Sequence, residues 1–214
     1  MNIFKPACIL PLALLTACAP PPPPDTAAAN IPTDSSQNVT VGNKPGQMPE
    51  GKAAGNAASI NSWSLSGAMA AKGNGKAWSA SVNWQQNGAG SYNIRLFGPL
   101  GSGTVIVEKH GSVVNYKDGP KTITSRSAED LLQKQTGIRL PLNSFYYWVR
   151  GIPAPGGVQG ENRDASRHLV SLRQGGYTIN YNGYTRVGNV DLPNRINLQG
   201  NGVSVKLVIN HWNV

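Results

Sequence analysis

Lys76-Ala77-Trp78-Ser79-Ala80-Ser81-Val82-Asn83-Trp84-Gln85-Gln86 is the stretch that decides the fold class of this chain. Trp78, Ala80, Val82 and Trp84 alternate with Ser79, Ser81, Asn83 and Gln85. A two-residue period puts the apolar groups on one face of a strand and the polar groups on the other. Working outward, the pattern recurs. Trp63, Leu65, Gly67 and Met69 precede it. Tyr92, Ile94 and Leu96 follow, then Val105 and Val107, then Val113 to Tyr116. After a break come His168, Val170 and Leu172, then Tyr177, Ile179 and Tyr181. Ile196 and Leu198 lead to a closing run of Val203, Val205, Leu207 and Ile209. Turn formers separate the runs at Asp118-Gly119-Pro120, Gln174-Gly175-Gly176 and Gly200-Asn201-Gly202. The reading is a mainly β protein with a few helices, built on a strongly curved antiparallel sheet of about nine to eleven strands.

Two helices are expected in the break. Ser127-Ala128-Glu129-Asp130 is a capping-box-like start, Leu131 and Leu132 give an apolar side, and Gly137 ends the first. The second begins near Pro141 or Asn143. Leu142, Phe145, Trp148, Val149 and Ile152 fall at helical spacings, and Gly151 and Pro153 stop it. Phe145-Tyr146-Tyr147-Trp148 covers much of the helix circumference. Such a helix either plugs the concavity of the sheet or lids an apolar pocket. Phe97-Gly98-Pro99-Leu100-Gly101 is a tight loop after a strand, with two apolar residues that fold back onto the core or protrude toward an apolar partner.

The N-terminal end carries a different signal. Lys5 followed by the short apolar run Ala7–Leu15 reads as an export signal too short to span a bilayer. Leu15-Thr16-Ala17-Cys18 is a lipobox, with cleavage before Cys18 and lipidation of its thiol. Residues 1–17 are then a signal peptide. Residues 18–57, rich in Pro, Ala, Asn and Ser and containing Pro20 to Pro24, form a lipidated flexible tether. Residues 58–214 form one domain, large enough to bury a core. Cys8 leaves with the signal, so the mature domain holds no disulfide. Alanine rather than aspartate at position 19 directs the product outward, to the outer membrane.

From residue 58 onward there are 16 Lys and Arg against 7 Asp and Glu, which is the whole formal charge of +9. This favours an acidic partner or an anionic surface. Export argues against nucleic acid. No catalytic constellation stands out. His110, His168 and His211 are far apart and lack metal-ligand spacing. The carboxylates are few, and only Glu108, Asp164 or Asp191 brought together in a cleft would make a hydrolase. No cofactor and no metal are expected, and the chain reads as a non-enzyme.

A series of segments then matches a family. Trp84-Gln85-Gln86, Leu96 to Gly101, Ser127 to Leu132, Thr136-Gly137, Leu140-Pro141-Leu142-Asn143-Ser144 and Trp148 to Pro153 occur in order. Tyr181-Asn182-Gly183-Tyr184, Leu192-Pro193 and a strand ending at Trp212 continue the series. Over residues 58–214 the chain resembles the LolB outer-membrane lipoprotein receptors. The resemblance implies an open, incomplete β-barrel with a helical lid over a hydrophobic cavity. It implies a monomer, lipid-anchored at the periplasmic side of the outer membrane. That monomer takes acylated lipoprotein cargo from the periplasmic carrier LolA and inserts it among outer-membrane lipid. It assigns membrane delivery to the loop Phe97, Gly98, Pro99 and Leu100, with Leu100 at its tip. Candidate cavity residues are the aromatics Trp84, Tyr92, Trp148 and Tyr181. The rival readings are a lipocalin-like binder of a small apolar ligand and an envelope hydrolase.

Overall fold

The structure is a computed structural model that describes residues 56–99 and 103–214. Cys18, the tether up to residue 55 and Leu100 therefore lie outside the described residues, whereas Asn56 and Ala57, read as the end of the tether, belong to the turn that opens the domain. After a 3-10 turn at Ala57–Ser59, six strands run in sequence: β1 (Ser62–Gly73), β2 (Lys76–Asn87), β3 (Ser91–Phe97), β4 (Thr104–His110), β5 (Val113–Asp118) and β6 (Lys121–Ser125). Two helices follow, α1 (Ala128–Thr136) and α2 (Leu142–Trp148). Five strands complete the chain: β7 (Val158–Arg163), β8 (Leu169–Gln174), β9 (Tyr177–Val187), β10 (Val190–Gly200) and β11 (Val203–Asn213).

All eleven strands form one antiparallel sheet in the order β6-β5-β4-β3-β2-β1-β11-β10-β9-β8-β7. Two meanders are thus zipped together where β1 meets β11. The sheet does not close, because β6 and β7 are its two edges. Those edges are also the strands that flank α1 and α2 in sequence. The chain must pass from one edge to the other, and it does so with its helices packed on the buried face.

The alternation read in the sequence becomes rows of side chains across this face. Leu65 pairs with Trp84, Trp84 with Ile94, Ile94 with Val107, and Val107 with Tyr116. A second row runs Trp78, Ala71, Val205, Leu198, Ile179 and Leu172. These residues, with Leu131, Leu132, Leu142 and Phe145 from the helices, make one core. β1 carries a bulge between Ser66 and Gly67 where it pairs with β11. A β carbon at Gly67 would run into the Val208 carbonyl, so only glycine lets the strands approach there.

Both helices lie where the residues predict them. The Ser127 side chain accepts from the Asp130 amide at 3.2 Å, and Gly137 closes α1 at φ 79. Asp130 does not complete a capping box, because the Ser127 amide donates instead to the Ser125 hydroxyl at 3.1 Å. Glu129 pairs with Arg139 at 2.6 Å. α2 ends at Trp148, short of the expected stop at Gly151, and the chain continues as turns in which Gly151 donates to the Trp148 carbonyl at 3.0 Å.

Candidate functional site

Between the sheet and the helices lies a cavity of about 40 Å³. Met69 and Ala71 of β1, Trp78 and Trp84 of β2, Ile94 and Leu96 of β3, Val107 of β4 and Val205 of β11 form its floor. Leu132 and Thr136 of α1, Ile138 and Leu140 of the interhelical link, and Leu142 and Phe145 of α2 form its roof. The lining is apolar apart from the Thr136 hydroxyl, which is taken up by the Leu132 carbonyl at 2.7 Å and the Ile138 amide at 3.2 Å. Phe145 is the centre of the roof. It has no exposed surface and stacks on Trp84 with ring centroids 5.8 Å apart.

The four aromatic candidates do not gather in one place. Trp84 lines the cavity, and its indole N–H donates to Gln86 at 2.8 Å. Tyr92 is buried one ring further along β3, edge-on to Trp84 at 6.4 Å. Its phenol has no hydrogen-bond partner among the described residues. Burial pushes its pKa upward, so it stays protonated. Trp148 and Tyr181 belong to the other half of the core. Trp148 donates to Gln174 at 2.8 Å, and Tyr181 donates to the Trp148 carbonyl at 2.9 Å. They fix α2 to the C-terminal meander rather than line the cavity.

Three buried polar residues went unremarked in the sequence. Gln174 accepts from Trp148 and from the Ala154 amide (2.9 Å) and donates to the Ala154 carbonyl at 2.7 Å. Gln86 donates to the Gly88 carbonyl at 2.6 Å. Arg150 is 2% exposed and faces no carboxylate among the described residues. Its guanidinium donates to the carbonyls of Tyr146 (3.1 Å), Ala57 (3.3 Å) and Ile60, and lies 4.1 Å over the Tyr146 ring. Burial lowers its pKa, opposed by Tyr146 and Tyr147. A chain entering at Ala57 is thereby tied to the end of α2. Glutamine and arginine inside an apolar run give no sequence signal of their own.

The loop after β3 adjoins the cavity, because Leu96 lines it and Phe97 follows. Phe97 is half-buried, Pro99 is exposed, and the loop is pinched by the Gly98 amide donating to the Gly103 carbonyl at 2.9 Å. By topology it shares a rim of the sheet with the β1–β2 and β10–β11 hairpins. The carboxylates raised as a hydrolase pair are otherwise engaged. Glu108 binds Lys117 at 2.8 Å, while Asp164 and Asp191 meet on opposite nitrogens of the His168 ring at 3.2 and 3.3 Å. None of them lines the cavity.

An open half-barrel whose apolar interior is roofed by two helices defines a class: a scaffold for holding apolar groups away from water. Residues 61–212 match the family model described as outer membrane lipoprotein LolB. The outer-membrane lipoprotein LolB of Coxiella burnetii (strain RSA 493 / Nine Mile phase I) is 38% identical over 154 residues, spanning 72% of each protein. Those of Halorhodospira halophila and Pseudomonas aeruginosa are each 34% identical, over 72% of this chain and 77% and 75% of theirs. The chain belongs to the LolB family of outer membrane lipoproteins.

Proposed function

We propose that this chain is an outer-membrane receptor that accepts acylated lipoproteins from a periplasmic carrier of the LolA kind and inserts them into the outer membrane. The observation that carries the reading is the apolar cavity between sheet and helices in a member of the LolB family. Acyl chains cost about 0.8 kcal/mol per methylene to expose to water, so two or three chains cost some tens of kcal/mol. Cargo must then pass from one apolar interior to another. The handover involves no covalent chemistry and runs toward the tighter site.

The cavity of about 40 Å³ is far below the roughly 300–1,000 Å³ of sites for sizeable ligands. Loading therefore requires the roof to lift. Cys18 and residues 18–57 hold the receptor, as a monomer, at the periplasmic side of the membrane. The Phe97–Leu100 loop makes the membrane contact during delivery.

The test is to mix the purified protein with carrier loaded with a lipoprotein and follow the cargo. Transfer supports the reading, and cargo that stays on the carrier overturns it. For the loop, Leu100→Glu is expected to leave the thermal midpoint unchanged and to accept cargo, yet to block its incorporation into membranes. Normal incorporation by that variant would remove the role given to the loop.

A further inference from the structure

The solvent-facing side of the sheet carries an open, largely apolar groove of about 350 Å³. The strand register builds it. Phe97, Ser81, Ala68 and Val208 lie side by side on β3, β2, β1 and β11. Ser79, Ala70 and Lys206 form the next row. All seven alternate with the inward-facing set, so they point away from the core. Phe97 and Pro99 wall the groove on one side, and Lys206 and Val208, the latter 43% exposed, wall it on the other.

These four strands are neighbours in the sheet, and their charge is of one sign. They hold Lys72, Lys76, Arg95 and Lys206 and not one Asp or Glu. Lys72, Arg95 and Lys206 face outward in the rows of the groove or the rows beside them. Arg195 of β10 does the same, opposite Val208. None of these four cations is ion-paired among the described residues. On the adjoining β4, Glu108 is already held by Lys117 and Asn93 at 2.8 and 2.9 Å. A lone exposed valine is ordinary surface, but an apolar groove set in a field of one sign marks a contact. The cations are spread over several strands and converge on no point. They therefore suit a diffuse anionic field, which is what a phospholipid leaflet presents, rather than one discrete anion. Phe97 and Pro99 belong both to the groove and to the loop given the membrane contact, so one surface runs unbroken from loop to sheet.

We propose that the outward face of β3, β2, β1 and β11 docks on anionic phospholipid. Phe97, Pro99 and Val208 meet the apolar part of the interface, and Lys72, Arg95, Arg195 and Lys206 lie among the headgroup phosphates. The receptor then rests on the membrane by this face instead of touching it by the loop tip alone. This rests on the lipoprotein-receptor reading and deepens it by naming the docking face and the class of lipid.

The experiment uses the mature chain with Cys18→Ser, which carries no acyl group, and vesicles of phosphatidylcholine alone or mixed with phosphatidylglycerol. Binding is read by co-sedimentation. The chain is expected to bind the mixed vesicles about tenfold more tightly, and raised salt should remove the difference. Lys206→Glu reverses one charge on the face. It should weaken binding to the mixed vesicles about twenty-fivefold, from two steps of about fivefold each. Arg126→Glu makes the same change beyond the β6 edge, away from this face, and should stay within about threefold of the parent chain. Both variants should keep the parent thermal midpoint and still accept cargo from a loaded carrier. Equal binding to the two kinds of vesicle, or equal losses in Lys206→Glu and Arg126→Glu, would overturn the inference and leave the receptor reading intact. So would a dimer that Val208→Glu dissolves with vesicle binding unchanged, which would give the face to a second copy. Cargo left on the carrier by the parent chain would overturn the receptor reading and the inference together.

Discussion

In the C-terminal meander, β7–β11, Tyr177, Tyr181 and Tyr184 donate to the carbonyls of Arg139, Trp148 and Leu169, and Gln174 closes a triangle with Trp148 and Ala154. In the N-terminal meander, β1–β6, Trp84 is paired through Gln86, whereas Trp63, Trp78 and Tyr92 are not. The cavity leans the same way. Seven of its eight sheet residues come from β1–β4, and only Val205 comes from the other half. One half of the barrel holds α2 and, through Tyr177, the link at Arg139 by directional bonds. The other half presents an apolar wall with open donors, against which α1 rests largely through apolar contact. Hydrogen bonds specify one geometry, while dispersion contacts tolerate sliding. The roof is therefore expected to lift at α1, with α2 and Arg139 as the fixed end.

Gln174→Leu attacks the fixed half where it is most connected. It strips partners from the Trp148 N–H and from both the amide and the carbonyl of Ala154, at a residue 4% exposed. The expected loss is about 4 kcal/mol, read from urea or thermal unfolding. A loss under about 1 kcal/mol would mean that the C-terminal half is not the scaffold.

Arg150→Met comes next. Methionine keeps much of the apolar stem but loses the bonds to Tyr146, Ala57 and Ile60 and the stacking on Tyr146. We expect a loss of about 2 kcal/mol, with faster proteolysis around residues 57–60. A variant that loses stability without any gain in cleavage there would separate Arg150 from the entry of the chain.

Much of this contrast was hidden in the sequence, for physical reasons. The nine runs legible by alternation all fall in strands with a buried face, from Trp63 in β1 to Ile209 in β11. The run His168, Val170, Leu172 misplaces its face, however: Val170 is exposed, and Leu169, Leu172 and Gln174 are the buried residues of β8. The two that were missed, β6 and β7, are the sheet edges. β6 has no fully buried residue, its inward positions being only the half-buried Ile123 and Ser125, and β7 is exposed almost throughout, so neither shows a run of alternating apolar residues. Yet these edges are what leave the barrel open. The helix ends were legible because Ser127 and Gly137 act through local backbone geometry. The site was less so. Trp84, Tyr92, Trp148 and Tyr181 are all buried as their alternation or helical spacing requires, but spacing is silent about what an indole or phenol meets across the core. Leu132, Ile138 and Leu140 reach the cavity only because the chain crosses from edge to edge.

The smallest effects give the sharpest version of the contrast, because one chemical change is made once in each half. Tyr181→Phe removes a hydroxyl that donates to the buried Trp148 carbonyl at 2.9 Å. It should cost about 1–2 kcal/mol, since that acceptor is left without this partner. Tyr92→Phe removes a hydroxyl of equal burial, both residues being 5% exposed, that donates to nothing among the described residues. It should change stability by less than about 0.5 kcal/mol or raise it slightly, because a desolvated and unpaired group is deleted. Both phenols are pushed up in pKa by burial, so both are neutral near pH 7 and neither result reflects a lost charge. Unfolding of the two variants side by side at neutral pH decides the matter. Equal losses would mean that Tyr92 has an acceptor after all, and the division between a bonded scaffold and an open wall would fall with it. A loss confined to Tyr181→Phe would show that the two hydroxyls, alike in burial, differ in what they meet across the core.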